Sequence, residues 1–321
     1  MRTIWTNAYL PEPALTRLQE GTCEHRLLIE PDAAPNLGVG AQTPLLAEAE
    51  IAFGQPDPEQ LLALPNVRWV HITSAGYTRY DREDLRKAFQ SADRIFTNSS
   101  SVFDEPCAQH VLAFMLANTR QLPTCFEHQI TDRGWRTEEL RRRSSLLRNQ
   151  HVLLVGYGAI AHRLAQLLAP FQVEIKALRR TIRGDESVAT YPIDALAELL
   201  PWADHIVDVL PANPSTDGLF NAIAFGLAKP GAVFYNIGRG TTVDQAALIE
   251  ALESGRLGAA YLDVTTPEPL PATDPLWKAP NCIITPHSAG GHADEFERQV
   301  AHFLQNLALY DRGEPLTDRV F

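Results

Sequence analysis

Three polar residues in the last third of the chain have side chains suited to moving a proton and gripping an anion. Arg239 lies in Asn236-Ile237-Gly238-Arg239-Gly240, Glu268 in Asp263-Val264-Thr265-Thr266-Pro267-Glu268-Pro269-Leu270, and His287 in Thr285-Pro286-His287-Ser288-Ala289-Gly290. A guanidinium holds a carboxylate through paired N–H donors, which an ammonium does less well. An imidazole exchanges a proton near neutral pH. A carboxylate beside an imidazole favours its charged form. Placed next to a nicotinamide, such a set meets the needs of hydride exchange with a 2-keto or 2-hydroxy acid: a grip on the acid, a proton for the oxygen, and fixed charge where an alkoxide develops.

A nucleotide site is written upstream. Gly156-Tyr157-Gly158-Ala159-Ile160-Ala161 follows the apolar run Val152–Val155 and opens a helical pattern through Leu164, Leu167 and Leu168. In that strand–turn–helix setting Gly156 permits a tight turn and Gly158 lets backbone approach a pyrophosphate. Ala161 permits close helix–strand packing, and the helix start offers free amides to phosphate. An NAD site places an acidic residue about 20 residues further on for the ribose 2′-hydroxyl. The corresponding strand here ends Ala177-Leu178-Arg179-Arg180-Thr181. Two guanidiniums suit a 2′-phosphate, so NADP(H) is the preferred cofactor and NAD(H) a possible one.

These residues need a scaffold, and the 321-residue length suits two domains. Short apolar runs alternate with helical patterns, the mark of α/β architecture. The first hundred residues offer strands at Thr3–Thr6, Arg26–Ile29, Ile51–Phe53, Arg68–Ile72 and Arg94–Thr97. The later series reads Val152–Val155, Val173–Leu178, His205–Leu210, Ala232–Ile237, Ala259–Asp263 and Cys282–Thr285. Asp104-Glu105-Pro106 reads as the start of a helix, with Asp104 as N-cap and Pro106 in the first turn. Arg141-Arg142-Arg143 reads as a solvated face. After Gly291, Phe296, Val300, Phe303, Leu304 and Leu307 fall at helical spacing, so this tail is expected to return to the first domain. The expected division is residues 1–99 with 288–321, and residues 100–287.

Composition narrows the partners. With 28 basic and 39 acidic residues the net charge is −11, which argues against nucleic acid or an anionic membrane. No apolar run is long enough to cross a bilayer. Four scattered cysteines, without a Cys-x-x-Cys, read as reduced thiols of a cytoplasmic protein and not as a metal site.

From Leu210-Pro211 to Gly290 the chain resembles the D-isomer-specific 2-hydroxyacid dehydrogenases. The motifs are Lys229-Pro230-Gly231-Ala232, Asn236-x-Gly238-Arg239-Gly240, Asp263-Val264-x-x-x-Glu268-Pro269-Leu270-Pro271, Pro275-Leu276-Trp277-x-x-Pro280-Asn281 and Thr285-Pro286-His287-x-Ala289-Gly290. Weaker similarity covers Trp69–Gly76 and Thr97–His110. The resemblance implies two Rossmann-like or flavodoxin-like α/β domains with parallel sheets flanking a cleft, the first domain discontinuous, and a homodimer. It implies that Arg239 binds the substrate carboxylate, that His287 is the acid/base, and that Glu268 orients it. Ser74-Ala75-Gly76 would offer amides to the carboxylate. Leu210, Pro211, Ile237, Gly238, Asp263, Ala289 and Gly290 would line the cofactor together with Arg239 and His287, with Asp263 accepting from the carboxamide. Arg179 falls where NAD-preferring members carry an acid. Phe53, Gly54, Ser74 and Tyr77 are expected around the substrate side chain, whereas His71, His110 and His128 read as structural. The activity implied is reduction of a small 2-keto acid such as glyoxylate or hydroxypyruvate. A non-catalytic nucleotide sensor on the same fold and a dehydrogenase of formate or phosphite are the alternatives.

Overall fold

Two parallel sheets organise the chain, one of five strands and one of seven. The computed structural model describes residues 1–36, 38 and 40–321, and the chain divides into two units: residues 1–103 with 291–321, and residues 104–290.

The first unit contains β1 (Thr3–Ala8), α1 (Glu12–Gly21), β2 (Arg26–Ala34), β3 (Ile51–Gly54), α2 (Pro58–Ala63), β4 (Trp69–Ile72), α3 (Glu83–Ser91) and β5 (Ile95–Thr97), with strand order β2-β1-β3-β4-β5. A parallel strand covered on both faces must be apolar on both, and side chains alternate between the faces. Accordingly Ile4, Ile51, Phe53 and Trp69 join one apolar cluster, while Trp5, Ala52, Val70 and Phe96 join another. The C-terminal segment supplies Val300, Phe303 and Leu307 to the first cluster, as the helical spacing after Gly291 predicts. Phe53 is fully buried and stacks on Phe303 with centroids 4.3 Å apart. It is a core residue, a correction to its expected place at a substrate pocket. The last residues run antiparallel along β5: Val320 N donates to Phe96 O at 2.8 Å and Phe96 N to Phe321 O at 3.0 Å.

Next come α4 (Ser100–Thr119), α5 (Leu122–Thr131), α6 (Thr137–Arg143), β6 (His151–Val155), α7 (Ala159–Leu168), β7 (Glu174–Arg179), β8 (Ala189–Pro192), α8 (Leu196–Leu199), β9 (His205–Asp208), α9 (Ala222–Leu227), β10 (Ala232–Asn236), α10 (Gln245–Glu253), β11 (Leu257–Leu262) and β12 (Cys282–Ile284); α11 (Glu295–Asp311) closes the chain in the first unit. Helix α4 begins at Ser100, so Asp104 lies inside it and is not its N-cap, and Pro106 is internal. Helical backbone is already accessible to Ser100–Phe103, which the Asp-x-Pro signal hides. Arg141, Arg142 and Arg143 form the exposed last turn of α6, as expected.

The second unit's sheet has the order β12-β11-β10-β9-β6-β7-β8. The chain enters at β6, builds outward to β8, then crosses to β9 and builds the other way. Ligands of open parallel sheets bind beyond the strand C-termini at such a reversal. Val155, Asp208, Asn236, Leu262 and Ile284 are successive register partners across β6, β9, β10, β11 and β12. Five strands therefore end side by side, and the loops that leave them carry Gly156, Leu210, Arg239, Asp263 and His287 along one edge.

Candidate active site

The glycine turn occupies the reversal. Gly156 has φ +99°, a conformation that L side chains rarely adopt, and its N–H donates to Leu178 O at 3.0 Å. A Cβ on Gly158 would meet nothing within 4 Å, so the space above this backbone is open. Helix α7 then starts at Ala159 with no side chain capping it. The first amides of a helix have no partner within it and carry partial positive charge. Ala161 is buried against the sheet. Open backbone, free amides and a helix start at the strand reversal together fit a dinucleotide pyrophosphate.

The other end of the nucleotide region holds a residue that sequence reading missed. Arg179, at the end of β7, donates from Nη1 to Glu186 Oε1 at 2.8 Å. The same carboxylate accepts from the amides of Arg183 and Gly184, each at 2.8 Å. Those amides, first that of Arg183, and then the Arg179 guanidinium hold the Glu186 carboxyl down at about 2. Tyr157 in the glycine turn reaches the same loop, its hydroxyl 2.8 Å from Ser187 Oγ. The acid absent from the strand end thus arrives seven residues later, ion-paired with Arg179, whereas Arg180 is exposed.

His287 and Glu268 meet. Imidazole Nδ1 lies 2.8 Å from Glu268 Oε2, and Thr265 N donates to Glu268 Oε1 at 3.0 Å. With Nδ1 facing the carboxylate, Nε2 is the ring atom left to exchange a proton. The His287 backbone is held at φ +51°, its N–H donating to Asp263 O at 2.8 Å. The Asp263 side chain, 2 % exposed, fixes this loop further. Its Oδ1 accepts from Thr285 Oγ1 at 2.6 Å and Ser288 N at 2.9 Å, and its Oδ2 from Ala289 N at 2.9 Å. His110 joins the group, with Nε2 3.1 Å from Thr285 Oγ1. The single Thr285 hydroxyl proton goes to Asp263, so His110 Nε2 is the donor in that contact. His110 therefore buttresses this loop, which its isolated position in sequence gives no means of seeing.

Arg239 leaves the C-terminal end of β10 next door. Gly240 makes its loop possible: a Cβ there would lie 2.0 Å from Thr265 O. At Gly238 an added Cβ would lie 2.6 Å from Leu210 O. The Arg239 loop is thereby pressed between the segments that carry Leu210 and Glu268. Ile237 and Leu210 are buried beside it, Ala289 is buried, Gly290 is half-buried, and Pro211 is exposed.

In the first unit, Ser74-Ala75-Gly76 follows β4. Ser74 Oγ donates to Gly76 O at 2.8 Å, and Asn98 Nδ2 donates to Ala75 O at 2.7 Å. Gln55, also missed in the sequence, donates from Nε2 to Ser74 Oγ at 3.2 Å and to Thr73 Oγ1 at 2.9 Å. Among the described residues the amides of Ala75 and Gly76 meet no protein acceptor, an arrangement suited to an anion. Tyr80 is core, its hydroxyl donating to Pro56 O at 2.8 Å. His71 is fully buried between Thr97 and Ser99, and His128 contacts Arg136, as structural histidines do.

A parallel sheet with a glycine turn at its reversal and an ordered row of polar loops along one edge defines the second unit as a dinucleotide-binding domain. Residues 112–289 match the D-isomer specific 2-hydroxyacid dehydrogenase NAD binding domain, and the chain belongs to that family. It is 30 % identical to glyoxylate/hydroxypyruvate reductase B of Escherichia fergusonii over 310 residues, 95 % of this chain and 93 % of the relative. It is 34 % identical to glyoxylate reductase/hydroxypyruvate reductase of Mus musculus over 256 residues, 78 % and 76 % of the two chains. A D-isomer specific 2-hydroxyacid dehydrogenase from Xanthobacter autotrophicus, solved in complex with NADPH and MES, superposes with a TM-score of 0.78 at 26 % identity, covering 100 % of this chain and 98 % of that one. The two-sheet α/β fold expected from sequence is the fold of these proteins. Among the described residues no helix is long and apolar enough to cross a membrane.

Proposed function

We propose that the protein is a D-2-hydroxyacid dehydrogenase working as a reductase of small 2-keto acids such as glyoxylate or hydroxypyruvate, with NADP(H) preferred over NAD(H). The observation that carries this reading is the 2.8 Å contact between His287 and Glu268 on the sheet edge that also bears Arg239 and the glycine turn. When bound, the nicotinamide supplies hydride to the keto carbon in reduction and takes it from the hydroxy acid in oxidation. His287 gives the keto oxygen its proton from Nε2, and in the reverse direction removes it. Glu268 on Nδ1 orients the ring. Arg239 pairs with the substrate carboxylate and polarises the keto oxygen; preorganised charge of this kind is worth about 3 kcal/mol per donor. The amides of Ala75 and Gly76, beside Ser74, are the groups in the first unit assigned to an anionic oxygen. Gly156, Gly158, Ala159 and Ile160 receive the pyrophosphate. Arg179 and Arg180 receive the 2′-phosphate. Leu210, Pro211, Ile237, Gly238, Asp263, Ala289 and Gly290 line the nicotinamide end.

The test is oxidation of NADPH and NADH against glyoxylate, hydroxypyruvate, pyruvate and phenylpyruvate. His287→Ala is expected to lower kcat by about 10³-fold or more, within the range general acid–base catalysis supplies, while NADPH still binds. Nucleotide binding without turnover of any keto acid would favour the sensor reading.

We infer also that the protein is a homodimer. Large apolar side chains stand exposed from α5 to the segment after α6: Phe126 62 %, Ile130 82 %, Trp135 94 % and Leu146 65 %. Several large apolar side chains left in water along one stretch of chain favour an association surface there. Light scattering is expected to give a dimer, and Ile130→Glu with Trp135→Glu a monomer; a monomeric wild type removes this part of the proposal.

A further inference from the structure

We propose that Asp208 is a positioning residue: in its protonated form it holds the Arg239 backbone through the hydroxyl of Thr242. The inference rests on Arg239 being the substrate-binding cation. Asp208 ends β9 and is fully buried. Its Oδ1 accepts from Leu210 N at 3.0 Å. Its Oδ2 lies within hydrogen-bonding distance of Thr242 Oγ1, and that hydroxyl also lies 2.7 Å from Arg239 O.

The count of protons decides the arrangement. A threonine hydroxyl has one proton to give. If Thr242 gives it to Asp208, the carboxylate is an anion in apolar surroundings with one amide and one hydroxyl for company. Among the described residues no cationic side chain is bonded to it. An unpaired buried charge of this kind is strongly disfavoured. If Asp208 carries the proton, every contact is satisfied in one direction: the acid O–H donates to Thr242 Oγ1, which donates to Arg239 O. Asn236 completes the set, its Nδ2 donating to Arg239 O at 2.9 Å and its Oδ1 accepting from Gly238 N at 2.9 Å. Burial pushes the Asp208 carboxyl up to about 7, against the smaller opposing pull of Thr242 and Leu210 N. The acid therefore serves as a neutral donor that fixes where the Arg239 chain leaves β10.

Asparagine reproduces this neutral pattern, since its amide N–H can face Thr242 and its carbonyl can accept from Leu210 N. Valine removes both. Thr242→Val is expected to raise KM for glyoxylate about tenfold or more, with the NADPH dissociation constant changed less than about threefold, and Thr242→Ser to recover the loss. Asp208→Val should behave like Thr242→Val, and Asp208→Asn should recover most of what valine loses. An asparagine variant as impaired as the valine one overturns the proposal, because the charge and not the donor would then be in use. Equal loss of NADPH and glyoxylate affinity in Thr242→Val also overturns it, as a general defect of the domain. Infrared difference spectra of wild type against Asp208→Asn at a pH of about 6 read the proton without turnover. A protonated-carboxyl band found only in wild type is expected, and its absence overturns the proposal even where Asp208→Val fails to fold. No keto acid turnover in wild type, with the band present, counts against the reductase reading and leaves the proton on Asp208 supported.

Discussion

Two buried aspartates on one sheet edge hold two neighbouring loops in opposite ways. Asp263, after β11, fixes the His287 loop by accepting: a hydroxyl and two backbone amides converge on its two oxygens. Asp208, at the end of β9, meets one amide and one hydroxyl, and that hydroxyl has a second claim on it from Arg239 O. Three donors can replace the water that a carboxylate loses on burial; one amide and a shared hydroxyl cannot. Side-chain identity and depth are nearly the same at the two sites. What separates their tasks is the number of donors that the neighbouring loop turns inward.

The sharpest way to break this contrast is at Asp263. Asp263→Ala removes three hydrogen bonds, each worth about 1.5–3 kcal/mol when the acceptor is charged and not simply additive. The His287 loop should lose its set position. We expect kcat for keto acid reduction to fall by at least about 100-fold, roughly the loss of 3 kcal/mol of transition-state stabilisation. A kcat within about fivefold of wild type would mean that the Glu268 contact alone places the imidazole.

At Asp208 the contrast is read from stability against pH. The native carboxyl, near 7, keeps its proton where the unfolded one, near 3.9, has lost it. In that window the native state binds more protons, so this group's contribution is fully present below about pH 4 and is lost as pH rises to about 7. His205, three residues earlier on β9 and also buried, is pushed down to about 4 by desolvation. It opposes Asp208: its native form binds fewer protons than the unfolded one, so its contribution is present above about pH 6.5 and is lost as pH falls to about 4. The two should partly cancel in wild type. Asp208→Asn is expected to expose the histidine, gaining stability relative to wild type by about 2–4 kcal/mol between pH 4 and pH 7 in urea melts. A pH-independent difference between the two proteins would place the carboxyl in its ionised form when folded.

Side chains placed by local sequence were legible in advance; those placed by a distant partner were not. Arg239, Glu268 and His287 stand in fixed local patterns, and Glu268 and His287 do meet. Most strands were visible as apolar runs because parallel strands are buried on both faces. Strand β8, Ala189–Pro192, is short and half-exposed and has no such run. Asp208 reads in sequence as an interruption of an apolar run expected to continue to Leu210. In the structure it ends the strand, and its partner Thr242 is 34 residues away. Phe53 was mistaken for a pocket residue because its stacking partner, Phe303, comes from the far end of the chain.

Glu186 is a third case, an acid whose partners come from its own loop and from Arg179, and it carries the smallest expected effect. Like Asp263 it accepts three hydrogen bonds, two from backbone amides. Unlike Asp263, one of its donors is the guanidinium proposed to meet the cofactor 2′-phosphate. A carboxylate there steadies Arg179 and at the same time repels a phosphate. Glutamine keeps the shape and an acceptor oxygen but removes the charge. If repulsion is the larger effect, Glu186→Gln should lower KM for NADPH about threefold, roughly 0.6 kcal/mol, and leave KM for NADH unchanged. A rise in KM for NADPH alone would instead show that Glu186 serves chiefly to hold Arg179 in place, which would make it an anchor of the Asp263 kind. Equal changes for both nucleotides would remove the ribose end from its sphere of action, and with it the assignment of Arg179 to the 2′-phosphate.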